Sequence, residues 1–139
     1  MDTTQAGRVL VVDDDKHAVE IAYRLLEREG FTVLRAQSGP EALTIVATET
    51  VDVILLDVMM PGMDGFQVCA ELRRQDRTRD IPVILLTAKD DMETRVHGMK
   101  LGVSEFLTKP INKRELFARI RAQMHQRTLG HGIDSILTE

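Results

Sequence analysis

Short runs of apolar residues alternate along the chain with longer stretches whose apolar positions recur every three or four residues. Arg8 to Val12 (RVLVV) is the first short run, and Asp13, Asp14 and Asp15 end it. From Lys16 to Glu29, Ala18, Ile21, Ala22, Leu25 and Leu26 recur at helical spacing, which predicts an amphipathic helix. Gly30 follows the last periodic residue, where a left-handed C-cap is expected. Phe31 to Arg35 is a second strand; Ser38 then serves as N-cap, with Glu41 three residues on in the capping-box arrangement. The helix that follows turns Ala42, Leu43, Ile45, Val46 and Ala47 towards the sheet.

Val51, Val53, Ile54, Leu55 and Leu56 form a short β-branched-rich apolar run, the pattern of a strand covered on both faces, and it stops abruptly at Asp57. Pro61, Gly62 and Gly65 mark a turn before a third helix from Phe66 to Gln75. Pro82 to Leu86 (PVILL) is a fourth strand, ended by Thr87. Pro at its first position does little harm, because the donor it lacks is dispensable there. A weaker helix spans Met92 to Leu101 with Val96 and Met99 inward, closed by Gly102. Glu105 to Leu107 is a short fifth strand before Thr108, Lys109 and Pro110. Leu116, Phe117, Ile120 and Met124 form the stripe of a last helix from about Lys113 to about Arg127.

Five strands alternating with five helices predict an α/β fold: a doubly wound parallel sheet with helices on both faces and right-handed crossovers. Residues 1–127 form one domain, and 128–139 a tail or the start of a linker loosened by Gly130 and Gly132. Net charge is -4 with no basic block, which argues against a nucleic-acid surface. Cys69 has no partner for an internal disulfide and falls in helical register with Phe66 and Leu72, so it belongs to packing. No apolar run is long enough for a membrane span and the N-terminus lacks a signal-peptide pattern, so a reducing cytoplasm is expected.

In a parallel sheet every strand ends at the same edge. Asp13 and Asp14, Asp57, Thr87 and Lys109 therefore collect there from four separate segments. Carboxylates this close repel one another unless a cation joins them. A hard divalent ion resolves the conflict, and Mg²⁺ suits a half-filled oxygen site that shares a phosphate. Lys109 and Thr87 then supply a point charge and a hydrogen-bond donor for an anion. These are the parts of phosphoryl transfer, which needs positioning and charge neutralisation, with a carboxylate as nucleophile. Each residue alone has a plainer reading, as a helix cap, a loop cap or a surface charge; the combination is what carries weight.

The motifs VLVVDDD, LLDVMMPGMDGF, PVILLTA and FLTKP make the sequence resemble the receiver domains of two-component response regulators over about Arg8 to Arg127. The resemblance implies the flavodoxin-like strand order 2-1-3-4-5. It also implies that Asp57 is the phospho-acceptor, charged by a histidine kinase or histidine phosphotransfer protein in a Mg²⁺-dependent phosphorelay. Asp14 and Asp57 then match direct metal ligands, Asp13 the water-mediated acid, and Met59 a backbone-carbonyl ligand. Thr87 matches the switch hydroxyl, Lys109 the phosphate-contacting lysine and Phe106 the aromatic switch, and Lys109–Pro110 is expected to be cis. Met59 and Lys89 occupy positions that influence phosphoryl lifetime in the family. Such a domain is a signalling module that assists only its own phosphorylation and dephosphorylation.

Two other classes compete. Haloacid-dehalogenase-type phosphatases carry an aspartyl nucleophile within Asp-x-Asp after strand one, but where they continue with Thr or Val this chain has His17. The chain is also short for such an enzyme with its cap. A flavin- or nucleotide-binding module lacks support, since neither a phosphate loop nor GxxxxGK[ST] is present. An EF-hand reading fails because Ala18 stands at the required glycine, and the four histidines share no metal spacing. The expected output surface is the face of helix four, strand five and helix five, with Phe106 beside Met92, Val96 and Phe117. Through it the domain contacts a downstream protein, an output domain or, after phosphorylation, a second copy. DVMMPGMDGF, FLTKPI and LFARIR are similar to receivers joined to diguanylate cyclases, and ELFARIRA to those of transcription factors.

Overall fold

The computed structural model describes the backbone of residues 7–88 and 91–137, and side chains up to residue 125. The elements run β1 (Arg8–Val12), α1 (Lys16–Arg28), β2 (Thr32–Ala36), α2 (Gly39–Thr48), β3 (Val53–Asp57), α3 (Gly65–Arg74), β4 (Val83–Thr87), α4 (Met92–Lys100), β5 (Glu105–Thr108) and α5 (Lys113–Leu137). The strands form a single parallel sheet in the order β2-β1-β3-β4-β5. This is the doubly wound, flavodoxin-like architecture that the alternation and the resemblance led us to expect.

Strand periodicity divides the interior in two. Leu10, Val12, Ile54, Leu56, Val83 and Leu85 point to one face, where Ala42 and Val46 of α2 and Val68, Cys69 and Leu72 of α3 cover them. Val9, Val11, Val53, Leu55, Ile84 and Leu86 point to the other, against Val19 and Leu26 of α1 and Leu116 and Ile120 of α5. β3 and β4 are buried along their whole length, which is why they read as unbroken apolar runs rather than alternating ones.

Local chemistry fixes where the helices start and stop. Asp15 accepts from the backbone N–H groups of His17 and Ala18 at the head of α1. Ser38 caps α2, while the Glu41 carboxylate reaches one residue further back than a capping box requires, to Gln37 N–H. The reciprocal box occurs instead at α3, between Asp64 and Gln67. Gly30 adopts φ 95°, and Phe31 N–H donates to Leu26 O, the closure expected of a glycine-terminated helix.

Three expectations about the helices need correction. In α1 Val19 is buried and Ile21 is 61% exposed, because Ile21 lies at the outer lip of a groove rather than under the helix. In α4 Val96 and Met99 face outward, at 40% and 68% exposure, and the buried residue is Gly98. The reason is steric: a Cβ on Gly98 would lie 2.7 Å from Phe106 Cζ, so only a bare backbone fits over that ring. The backbone of α5 continues past Arg127 to Leu137, although the apolar stripe ends near Met124.

Cys69 is fully buried, and burial pushes its thiol up to about 11 despite the opposing effect of Arg73. An aromatic disulfide reagent at mildly alkaline pH is therefore expected to leave the native protein unlabelled and to titrate one thiol after denaturation. Rapid labelling of native protein would contradict the packing described above.

Candidate functional site

The carboxyl ends of the strands converge on a small charged cluster. β1 hands over to Asp13, which is buried, and Asp14, which is exposed. Asp13 is held in place by accepting Asp15 N–H at 3.0 Å and donating its own N–H to Ala36 O at 3.2 Å. Asp57 is the last residue of β3 and is only 4% exposed. Thr87 ends the adjacent β4, one residue beyond the Leu86 that pairs with Asp57, and is buried. Its carbonyl accepts Lys109 N–H at 2.8 Å, tying the chain after β5 to the end of β4. The following Lys109–Pro110 peptide is cis.

Lys109 reaches back across the edge of the sheet. Its Nζ lies 2.8 Å from Asp57 Oδ1 and 3.2 Å from Asp13 Oδ2, so one ammonium is shared between two buried carboxylates. Asp13, Asp14 and Asp57 can each offer one carboxylate oxygen such that all three lie within 4.8 Å of one another. One ammonium against three acids leaves an excess of negative charge. Burial pushes the Asp57 carboxyl above the usual range, and the charges of Asp13 and Asp14 push the same way; the hydrogen bond from Lys109 offsets part of this. For Lys109 burial works against the charged form, but Asp57 and Asp13 outweigh it and raise the ammonium above its ordinary value. The amine is thus charged throughout the neutral range.

Several oxygens, no sulfur and no imidazole make a donor set for a hard cation. Asp13, Asp14 and Asp57 are the residues that could hold Mg²⁺. Two residues beyond Asp57, the Met59 side chain is exposed. Phe106 sits on β5 beneath α4, its ring against Gly98 and the Arg95 guanidinium 5.3 Å from its centroid. Lys89 lies outside the described residues. A groove of about 330 Å³ opens next to Asp13 and Lys109, walled by Ala18, Ile21 and Leu25 of α1 and by Pro110, Ile111 and Leu116.

Two contributors escaped the sequence reading. Asp15 appears there only as the third acid of a run, whereas its carboxylate is occupied in capping α1. Gly65 appears only as a turn residue, yet the Asp57 carbonyl lies so close that a Cβ on Gly65 would be 2.6 Å from it. An aspartate followed immediately by glycine at a helix start is the available signal for such a close approach, and it does not say what is approached.

Comparison with known proteins agrees with this geometry. A family model described as the response regulator receiver domain matches residues 9–121. The response regulator PleD of Caulobacter vibrioides is 49% identical over 117 residues, which cover 84% of this chain and 26% of PleD. The chain thus spans about a quarter of the length of that curated relative. Among solved structures, the receiver domain of the Francisella response regulator 1452 superposes with a TM-score of 0.81 at 36% identity, covering 87% of this chain and 98% of that one. The chemotaxis protein CheY4 of Vibrio cholerae gives 0.81 at 31% identity, covering 84% and 97% respectively. Among the described residues no helix is long and apolar enough to cross a membrane. With strand order, acidic cluster and family match in agreement, the chain belongs to the response regulator receiver domains of two-component systems.

Proposed function

We propose that this domain is a phosphorylation switch whose acceptor is Asp57. The observation that carries the reading is the buried Asp57 carboxylate held 2.8 Å from Lys109, with oxygens of Asp13 and Asp14 close by. Asp57 acts as the nucleophile: one carboxylate oxygen forms a bond to phosphorus as the bond from phosphorus to the donor breaks. The donor is the phosphohistidine of a histidine kinase or histidine phosphotransfer protein, and the groove beside α1 lies where such a protein would approach. Lys109 neutralises the phosphoryl oxygens, and Thr87, at the adjacent strand end, donates its hydroxyl to them. Asp14, Asp57 and the Met59 carbonyl would hold Mg²⁺, with Asp13 as the water-mediated acid. When bound, the ion supplies positive charge against the oxygens of the transferring group.

The output follows from differential contact, since a phosphoryl group shifts an equilibrium only by what it contacts in one state and not the other. Thr87 drawn towards the phosphoryl group vacates space at the end of β4, and Phe106, on the neighbouring strand, is the residue placed to respond. The face of α4, β5 and α5 then changes and engages a downstream protein, an output domain or a second copy. The domain works in the cytoplasm and catalyses only the gain and loss of its own phosphoryl group.

Incubation with acetyl phosphate and Mg²⁺, followed by intact-mass measurement, tests the reading. A single phosphoryl adduct is expected, absent when a chelator is present from the start. A wild-type protein that takes up no phosphoryl group under these conditions refutes it.

A further inference from the structure

Three consecutive aspartates follow β1, and their hydrogen bonds set the third apart. The Asp15 carboxylate accepts the N–H of His17 at 2.9 Å and that of Ala18 at 3.4 Å, and its carbonyl accepts Val19 N–H at 3.1 Å. One residue thus takes three amides from the first turn of α1. Val19 is 2% exposed and packs against the sheet, so the turn that Asp15 caps is itself anchored in the interior. In the same conformation, with φ -84° and ψ 110°, the Asp15 N–H points back along the chain and donates to Asp13 Oδ1 at 3.0 Å. Cap and donor are two ends of one residue, so what fixes the first also aims the second.

The consequence falls on Asp13 and Asp14. The backbone of Asp13 is held from the other side by its own N–H, donated to Ala36 O at 3.2 Å. Its Oδ2 faces Lys109 Nζ at 3.2 Å, but the same ammonium lies closer to Asp57 Oδ1, at 2.8 Å. A lysine is a point charge on a flexible stem, and a phosphoryl group on Asp57 would compete for it. The Asp15 N–H belongs to the main chain and cannot be drawn away. It is the tie on Asp13 that persists when the ammonium is shared with a new anion. Asp14 lies between the two tied residues, so the backbone carrying its carboxylate is held at both ends. Among the described residues the acids whose oxygens gather within 4.8 Å are Asp13, Asp14 and Asp57, without Asp15.

We propose that Asp15 is a positioning residue: by capping α1 it aims its own N–H at Asp13 and holds Asp13 and Asp14 in the arrangement that takes Mg²⁺. The role of the ion rests on the phosphorylation reading above; the tie between the cap and Asp13 does not. What matters at Asp15 is a short side chain that accepts hydrogen bonds, rather than its charge. Asparagine and serine cap a helix about as well as aspartate, and alanine does not. Groups one step behind a metal's ligands orient them, and losing such a group weakens binding without removing a donor.

Amide NMR of the full chain with Mg²⁺ titrated in tests this. Asp15→Ala is expected to weaken the affinity for the ion about fivefold, while Asp15→Asn and Asp15→Ser stay within about twofold of the wild type. Ser38→Ala removes the equivalent cap from α2, and should lower stability to a similar extent yet leave the Mg²⁺ affinity unchanged. In metal-free protein the protection of the residue 15 amide should fall about tenfold in D15A and be restored in D15N. Unaltered affinity in D15A overturns the proposal. Binding in D15N as weak as in D15A also overturns it, because the ion would then be responding to charge. Equally weak binding in S38A does the same, because general loosening would suffice. A wild type with no response to Mg²⁺ refutes the metal site of the reading above instead. The cap is then judged on the residue 15 amide alone, and unchanged protection in metal-free D15A overturns it.

Discussion

Asp57→Asn is expected to abolish phosphoryl uptake from acetyl phosphate and, in metal-free buffer, to raise the melting temperature. Loss of uptake follows because an amide oxygen is no nucleophile and the neighbouring acids are differently placed: Asp14 is exposed and Asp13 is engaged by Asp15 N–H and Lys109. The gain in stability follows from the sign of the shift. Burial, with the charges of Asp13 and Asp14, raises the folded-state value of Asp57 above 3.8, so folding favours its protonated form. That contribution is present below the unfolded value and is lost as pH rises through the folded one, leaving an ionised carboxylate that opposes folding at neutral pH. Asparagine keeps the shape and removes the charge, while Lys109 retains Asp13. A gain on the order of 1 kcal/mol is expected at neutral pH, shrinking as pH falls. Thermal melts of both proteins across pH check this, and a destabilised D57N protein at neutral pH would show that the Lys109 pair outweighs the crowding. An undiminished adduct in the variant would move the acceptor elsewhere, and one found at Asp13 would favour the Asp-x-Asp phosphatase reading.

Gly65→Ala should be among the most damaging single-methyl changes in the molecule. The added carbon would lie 2.6 Å from the Asp57 carbonyl oxygen and 2.9 Å from Val58 Cα, both backbone atoms that no rotamer change can move aside. The same junction is bonded by Gly65 N–H to Val58 O at 3.0 Å. Relief requires α3 to withdraw from the end of β3, opening Val68 and Leu72 to water and displacing the acceptor. A loss of about 3 kcal/mol in urea melts is expected, at the upper end for overpacking, together with slower phosphoryl uptake. Gly62→Ala is the contrast: nothing lies within 4 Å of a Cβ there, and only its φ of 77° resists the change, so a loss of about 1 kcal/mol is expected. Equal losses at the two positions would mean that conformational strain, rather than the contact with Asp57, governs this loop.

The sheet and its charged edge were legible because their signals are local and mutually consistent. An apolar run that stops on a polar residue can be placed without knowing its neighbours: Asp13, Asp57 and Thr87 each close such a run, and Lys109 follows shortly after another. The helices were less transparent. Periodicity assigned Ile21 to the buried side of α1 and Val96 and Met99 to that of α4, but burial there is decided by what the helix meets. Beneath α4 that partner is an aromatic ring, so the inward position belongs to a glycine, which no hydrophobic pattern reports. The grip of Arg73 was invisible for a related reason. Its guanidinium donates to the carbonyls of Arg79, Ile81, Leu101 and Gly102, and carbonyls carry no residue identity. The extent of α5 was also hidden, since its backbone runs past the last residue of the apolar stripe.

Because each strand is followed by a helix running back along the sheet, all five helices begin at the rim where the strands finish. Asp15, Ser38, Asp64 and Asp91 occupy the heads of α1 to α4, each side chain accepting backbone N–H groups that would otherwise point outward unpaired. The aligned peptide dipoles behind those heads give the rim a partial positive character that no count of side-chain charges includes. A pocket crowded with acids is thereby made tolerable to still more negative charge, and the winding of the chain contributes to that as directly as any one residue does.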